Sequence, residues 1–313
     1  MASSNVNFDC ASRGEIQSVL KFSTPQNIIY ANPSKSIEDI TSAVKSNVDL
    51  MVVDSVEEIE KMDSVNPDLK KVIRIKAVEL NSDIKFNSKF GATENEVYKM
   101  LDILSTTKTF EGFSFHVGSK CKNEESYFLT IKNIMDNYYN YCNKNKIPIK
   151  MIDIGGGFSS HTNLTILDKI LTPFYDKFKE EKIKLIAEPG RYFSEPSVDL
   201  FCKVTCVKKR EINDKEIYHV TINDSVYSSF NGKLFDGQHY TPIPLYDSVG
   251  TEWVDCVIFG QTCDSLDVIC ENIKLPLPQV NNVFKFQNMG AYSLAACYGE
   301  FNGFQAPKEI ELE

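Results

Sequence analysis

One pattern governs what this chain can fold into. Between residues 5 and 188, short apolar or β-branched runs alternate with amphipathic helical segments. The runs fall at 5–9, 27–31, 49–53, 71–75, 112–116, 150–154 and 184–188. Ile37, Ile40 and Val44 share one helical face over 36–46, and Val97, Leu101 and Leu104 share another over 93–104. Longer amphipathic stretches occupy 124–142 and 164–180. Strand, helix, strand in this order predicts right-handed βαβ units and a parallel sheet. Seven strands with six helices between them suit an open doubly wound sheet, and fall one strand short of a closed (β/α)₈ barrel. The count by itself leaves both architectures open.

After about Pro196 the pattern changes. Strand-like runs at 199–208, 216–223, 254–259 and 282–287 are separated by turn-rich loops, and helical periodicity nearly vanishes. Residues 198–313 therefore read as a mostly antiparallel β domain behind a βα domain of residues 1–197. With 42% hydrophobic residues, the 313-residue chain has ample apolar material for cores of this size.

Charge narrows the partners. The 43 acidic and 34 basic side chains leave a net charge of −9, which argues against nucleic acid and against a polybasic membrane contact. No apolar run is long enough to span a bilayer. Met1–Asn5 has neither the basic stretch nor the apolar core of a signal peptide. The nine cysteines are scattered, with no CxxC pair and no histidine at zinc spacing. Reduced thiols in a cytoplasmic protein without a bound metal are the simplest expectation.

Polar residues gather where the predicted strands end: Asp9, Arg74, His116, Asp153 before Gly155, Gly156 and Gly157, and Glu188 before Gly190 and Arg191. In a βα-barrel that rim carries the active site. Any one of these residues is as readily a solvated loop residue, and only convergence from several strands favours a site. The triple glycine lets backbone N–H groups approach an anion, although a tight turn is its commoner use. It is neither GxGxxG nor a P-loop. Arg191 suits a phosphate beside that turn, and Glu188 suits a protonated ring nitrogen or a structural ion pair. His116 is by type as readily a satisfied core residue as a catalyst. Cys263 sits beside Asp264, whose negative charge disfavours a thiolate, so a proton donor fits better than a nucleophile.

Taken together the motifs resemble the fold-type III pyridoxal-phosphate decarboxylases, within them the ornithine decarboxylase group. The matching stretches are FDCAS from Phe8, IIYANP from Ile28, KFGA from Lys89, FHVGS from Phe115, DIGGGF from Asp153, EPGRY from Glu188, TCD from Thr262, GAY from Gly290 and FNGF from Phe301. They run in family order from about residue 5 to residue 305. The resemblance implies a (β/α)₈-type barrel lacking its first strand, followed by the β domain. It implies pyridoxal 5'-phosphate held by Gly155–Gly157, Ser119, Gly190, Arg191 and Tyr292 at the phosphate. Glu188 would hold the ring nitrogen and His116 the ring face, with Asp9 and Arg74 completing the shell. Cys263 would protonate the α-carbon. Phe235, Asp236 and Asp264 would meet a basic amino acid, ornithine first, giving putrescine in polyamine biosynthesis. It further implies a homodimer with shared sites, a Lys89–Asp267 ion pair between subunits, and an antizyme-like regulator.

Departures qualify this. The family's imine-forming lysine lies about twenty residues before its Phe-Asp-Cys-Ala-Ser stretch, whereas Phe8 is the eighth residue here. The chain as written is therefore expected to be inactive unless an upstream segment supplies that lysine, with Lys120 the nearby substitute. Lys120, Ser265 and the Phe235-Asp236-Gly237 stretch also differ from the family pattern. A non-catalytic antizyme-inhibitor-like protein is the alternative. A sugar-phosphate barrel enzyme using Glu188 as base is a third reading, which leaves Cys263-Asp264 and the β domain unexplained.

Overall fold

A computed structural model describes residues 6–80, 82–84, 86–247 and 250–311. The stretch Met1–Asn5, on which the signal-peptide reading and the start of the first predicted strand fall, lies outside the described residues. Contacts divide the chain into a unit ending at Pro189 and a unit beginning at Gly190.

The first unit holds seven parallel strands in sequence order: β1 (Phe8–Cys10), β2 (Ile28–Tyr30), β3 (Leu50–Val53), β4 (Lys70–Arg74), β5 (Phe110–Ser114), β6 (Met151–Asp153) and β7 (Lys184–Ile186). Each pairs with the next, and among the described residues no pairing joins β7 back to β1. Sequential parallel pairing rules out the doubly wound sheet, whose strand order reverses at a switch point. Strands buried on both faces are what helix-covered parallel sheets require. Ile29, Val52, Val72 and Met151 cluster on one face, while Tyr30, Met51, Ile73 and Ile152 are buried on the other.

Between the strands run α1 (Arg13–Val19), α2 (Ile37–Lys45), α3 (Val56–Val65), α4 (Glu94–Thr107), α5 (Glu125–Asn133) and α6 (Leu164–Glu181). The α5 segment continues through π-helical Ile134–Tyr139 into Asn140–Lys144. Polar caps start most of the helices. Ser12, Ser36 and Ser55 accept from the N–H groups of Glu15, Asp39 and Glu58, and Thr93 with Glu96 forms a capping box. Asn163 caps α6 by accepting from Thr165 and Ile166. The loops before the helices capped by Ser12, Ser36 and Ser55 are short, whereas those after β4, β5 and β6 run to ten residues or more.

β4 is anchored at both ends. Near its start Lys71, fully buried, pairs with Asp63 of α3 at 2.5 Å and reaches the Pro67 carbonyl. At its end Arg74 opens onto the rim. Two strands end two residues earlier than the sequence suggests: β5 stops at Ser114 and β7 at Ile186. His116 and Glu188 thus lie two residues past their strands, where the backbone turns inward. Glu188 N–H donates to Gly155 O at 2.8 Å, and Phe115 N–H to Asp153 O at 3.0 Å.

The second unit is a six-stranded sheet of β8 (Leu200–Ile212), β9 (Lys215–Ile222), β10 (Ile243–Pro244), β11 (Trp253–Phe259), β12 (Val268–Pro276) and β13 (Val283–Phe286). Its order is β10-β13-β8-β9-β11-β12, antiparallel except for β9 beside β11. A register shift at Val204/Cys206 lets β8 pair with β13 first and with β9 afterwards. The core is formed by Cys202, Val204, Val220, Ile222, Phe230, Ile258, Phe284 and Phe286. β12 escapes a sequence reading because Glu271 and Asn272 interrupt its alternation, Asn272 in left-handed backbone. Also unforeseen is a small antiparallel ladder in the first unit, Ser82–Ile84 against Ser119–Cys121.

Orphaning a buried ion costs more than replacing it by an apolar side chain. Asp63→Ala, which leaves the Lys71 ammonium buried and unpaired, should lower unfolding free energy by about 2–3 kcal/mol, a value reduced for the partial exposure of Asp63. Lys71→Met should cost less. Urea unfolding of both variants checks the order.

Candidate active site

The side chains that converge on the rim come from the ends of five of the seven strands and from the loop before α4. A cavity of about 360 Å³ is lined by Asp9, Asn32, Arg74, Phe86, Lys89, Phe90, His116 and Glu188 among others. That volume is in the range of small-molecule sites. Asp9 belongs to β1, Arg74 ends β4, His116 follows β5, and Glu188 follows β7. The aromatic wall comes from the loop after the small ladder. Phe86 meets the His116 ring edge-on at 4.6 Å between centroids, and Phe90 lies 4.7 Å beneath the Arg74 guanidinium.

Gly155–Gly157 back this cavity. Gly155 has φ +64°, and a Cβ there would lie 2.1 Å from the Phe115 carbonyl oxygen. A Cβ on Gly156 would come within 2.7 Å of His116 Nε2. The glycines thus allow the β6 turn to press against the backbone around His116. The Tyr127 hydroxyl donates to Gly156 O at 2.9 Å and holds the turn from behind. His116 Nδ1 accepts from Gly118 N–H at 3.1 Å, so its proton is assigned to Nε2.

Charge in the cavity is unbalanced. Asp9, Asp153 and Glu188 share a single guanidinium, that of Arg74. Asp153 is fully buried. Its Oδ1 accepts from Gly155 N–H at 2.9 Å, while Oδ2 meets no donor among the described residues. Burial raises all three carboxyl pKa values. For Glu188 the charges of Asp153 and Asp9 add to burial and push it well above the usual range. Asp9 is open to solvent at the cavity mouth but enclosed by protein elsewhere. It is pushed up to about 7 by desolvation and then by Asp153 and Glu15, with Arg74 opposing. His116 moves to about 3, through desolvation and then the Arg74 charge, and is neutral near pH 7. Among the described residues, no group of three His, Cys, Asp or Glu is placed to hold a metal ion.

Of the residues singled out in the sequence, Asp9, Arg74, Lys89, His116 and Glu188 line this cavity, with Gly155, Gly156 and Gly157 behind it, and Lys120 lies in the small ladder of the same unit. Ser119 opens the small ladder, and the loop is tied to that ladder by Cys121 N–H donating to Gly157 O at 3.0 Å. The others belong to the second unit. Arg191 pairs there with Asp236 at 2.5 Å, approaches Glu195 at 3.5 Å and lies 5.1 Å from the Tyr292 ring centre. The groups expected to serve phosphate and ammonium thus neutralise each other. Phe235 is 73% exposed. Gly190 begins the short helix that carries Arg191. Cys263 is exposed, its N–H donating to Asn302 Oδ1 at 3.2 Å. Asp264 is held below the usual carboxylate range by Leu266 N–H and then by the Tyr227 hydroxyl. Asp267 is buried and accepts from Val226 N–H, Thr262 N–H and the Thr262 hydroxyl. Sequence reasoning missed the pairing of Asp153 with Glu188, although both stand in quoted motifs. It also missed Phe86, which lies in a loop without periodic pattern.

The shift of Asp9 sets a pH dependence. A carboxyl with a raised folded-state pKa stabilises the fold below its unfolded value near 3.8, and that contribution is lost as pH rises through about 7. Asp9→Asn should therefore raise the melting temperature more at pH 8 than at pH 4.5. Thermal unfolding at the two pH values measures the difference.

The pyridoxal binding domain of the pyridoxal-dependent decarboxylases matches residues 1–195. A probable ornithine decarboxylase of Dictyostelium discoideum is 35% identical over 96% of this chain and 68% of its own length. Antizyme inhibitor 2 of Xenopus laevis is 33% identical over 97% of this chain and 70% of its own. Among solved structures, the Paramecium bursaria Chlorella virus arginine decarboxylase bound to agmatine aligns with TM-score 0.90 and 34% identity, covering 97% of this chain and 83% of that one.

Proposed function

Because the chain belongs to the pyridoxal-dependent decarboxylases, we propose that it is a pyridoxal-phosphate lyase removing the carboxylate of a basic amino acid, with ornithine to putrescine as the first reading. The observation that carries this is the cavity in which Glu188, His116, Arg74 and Asp9 converge. These residues fit the cofactor: a neutral imidazole and two phenylalanines offer an aromatic slot, and a carboxyl with a raised pKa offers a partner for a ring nitrogen. When bound, pyridoxal phosphate supplies the electron sink for loss of carbon dioxide. Glu188 then holds the proton at the ring nitrogen, and His116 supports the ring without bringing a second charge. The Gly155–Gly157 turn would hold the phosphate, through Gly156 and Gly157 because the Gly155 N–H is taken by Asp153, with Ser119, Gly190, Arg191 and Tyr292 assigned to the same end by the family pattern.

At the substrate end, Asp236 and Asp264 are assigned to the distal ammonium, Phe235 lies beside it, and Cys263 delivers the proton to the α-carbon. Relatives named for ornithine, arginine and lysine support a basic amino acid as substrate class. We further assign a cytoplasmic homodimer with shared sites and a place in polyamine synthesis. No helix among the described residues is long and apolar enough to cross a membrane. The antizyme inhibitor relative favours one alternative, a regulatory protein that binds an antizyme-like partner without turnover.

The test is carbon dioxide release from ornithine, lysine and arginine by the purified protein with added pyridoxal phosphate. Borohydride reduction and peptide mapping in parallel find the lysine that carries the cofactor, with Lys120 one candidate. Release fastest from ornithine is expected, and Cys263→Ala should divert product away from putrescine. No release from any of the three, together with tight binding of an antizyme-like protein, assigns the regulatory alternative.

A further inference from the structure

The cofactor reading leaves one arrangement unused. Asp153 is fully buried at the end of β6, and one of its oxygens meets no donor among the described residues. The Glu188 carboxyl stands within hydrogen-bond reach of Asp153. Two carboxylates cannot form that bond unless one proton lies between them. The surrounding charges agree. Around the pair stand Asp9 from β1, Arg74 from β4 and neutral His116 after β5, with Asp54 and Glu15 acting on Arg74 and Asp9. Arg74 is the cation that acts on all three acids, while Lys89 lines the same cavity, and three acids around one such guanidinium favour a carboxyl that stays protonated. Asp153 is the better ionised member, because Gly155 N–H donates to it.

We propose that Asp153 and Glu188 hold one proton between them before any cofactor is bound, and that Asp153 is the positioning residue that keeps this proton on Glu188 for the cofactor's ring nitrogen. This rests on the cofactor reading of the cavity. A ring nitrogen that arrives neutral takes this proton: the Glu188 O–H bond breaks, a ring N–H bond forms, and Glu188 is left as a carboxylate facing the ring cation. A ring that arrives already protonated, the main form near pH 7, displaces the same proton to water. The arrangement makes protonation of the ring a property of the site rather than of the solution pH.

The probe is pyridoxine 5'-phosphate, which has no aldehyde and forms no imine. In the unaltered protein near pH 7, infrared difference spectra should show a protonated carboxylic acid band that disappears on adding the probe. Calorimetric titration in two buffers of different ionisation heat gives the protons taken up. Asp153→Asn places an amide donor against Glu188 and should favour its ionised form. The variant should then take up about one more proton per site than the parent. Binding with no loss of a carboxylic acid band, or with equal proton uptake in parent and variant, overturns the proposal and leaves the cofactor site standing. Failure of the probe to bind the unaltered protein overturns both.

Discussion

Three carboxyl groups share one guanidinium at the rim of the parallel sheet, and that imbalance is the constraint to which the site's other features answer. Ionising all three in a partly buried cavity would set like charges against one another with the Arg74 guanidinium as the cation acting on them all. The structure relieves this by keeping protons. Asp153 is satisfied on one side by Gly155, Glu188 carries the proton toward it, and Asp9 sits at the mouth where solvent reaches it. His116 answers the same field in the opposite sense, since burial and Arg74 both keep it neutral.

The backbone around these groups serves the same end. Gly155 and Gly156 let the β6 turn approach the chain at Phe115 and His116 more closely than any side chain permits. Glu188 N–H, bonded to Gly155 O, fixes the start of the last loop against that turn. The rim is thus a set of segments tied to one another by backbone hydrogen bonds, on which charged side chains sit at fixed places. The second unit solves a parallel problem by direct pairing, with Arg191 and Asp236 neutralising each other beside Tyr292.

Much of this was legible in the sequence, because parallel strands buried on both faces leave nearly continuous apolar runs such as Leu50–Val53. Asp9, Arg74, His116 and Glu188 were visible as polar residues at the ends of such runs. What the sequence hid has physical causes. β12 lacks alternation because Glu271 and Asn272 interrupt it. Phe86 reaches the cavity from an irregular loop, where no period marks an inward face. Asp153 read as the start of a glycine turn, since the register that brings its carboxyl to Glu188 depends on β6 and β7 lying side by side. The pairing of Arg191 with Asp236 spans 45 residues and no local pattern announces it.

The central claim is that the rim cavity is built around a ring nitrogen held by Glu188, and a crystal structure of the protein with pyridoxal phosphate tests it most directly. The account predicts the ring nitrogen within hydrogen-bond distance of the Glu188 carboxyl, the ring against His116, and Asp153 behind Glu188. A cofactor bound elsewhere, or turned so that its nitrogen faces away from Glu188, would contradict it.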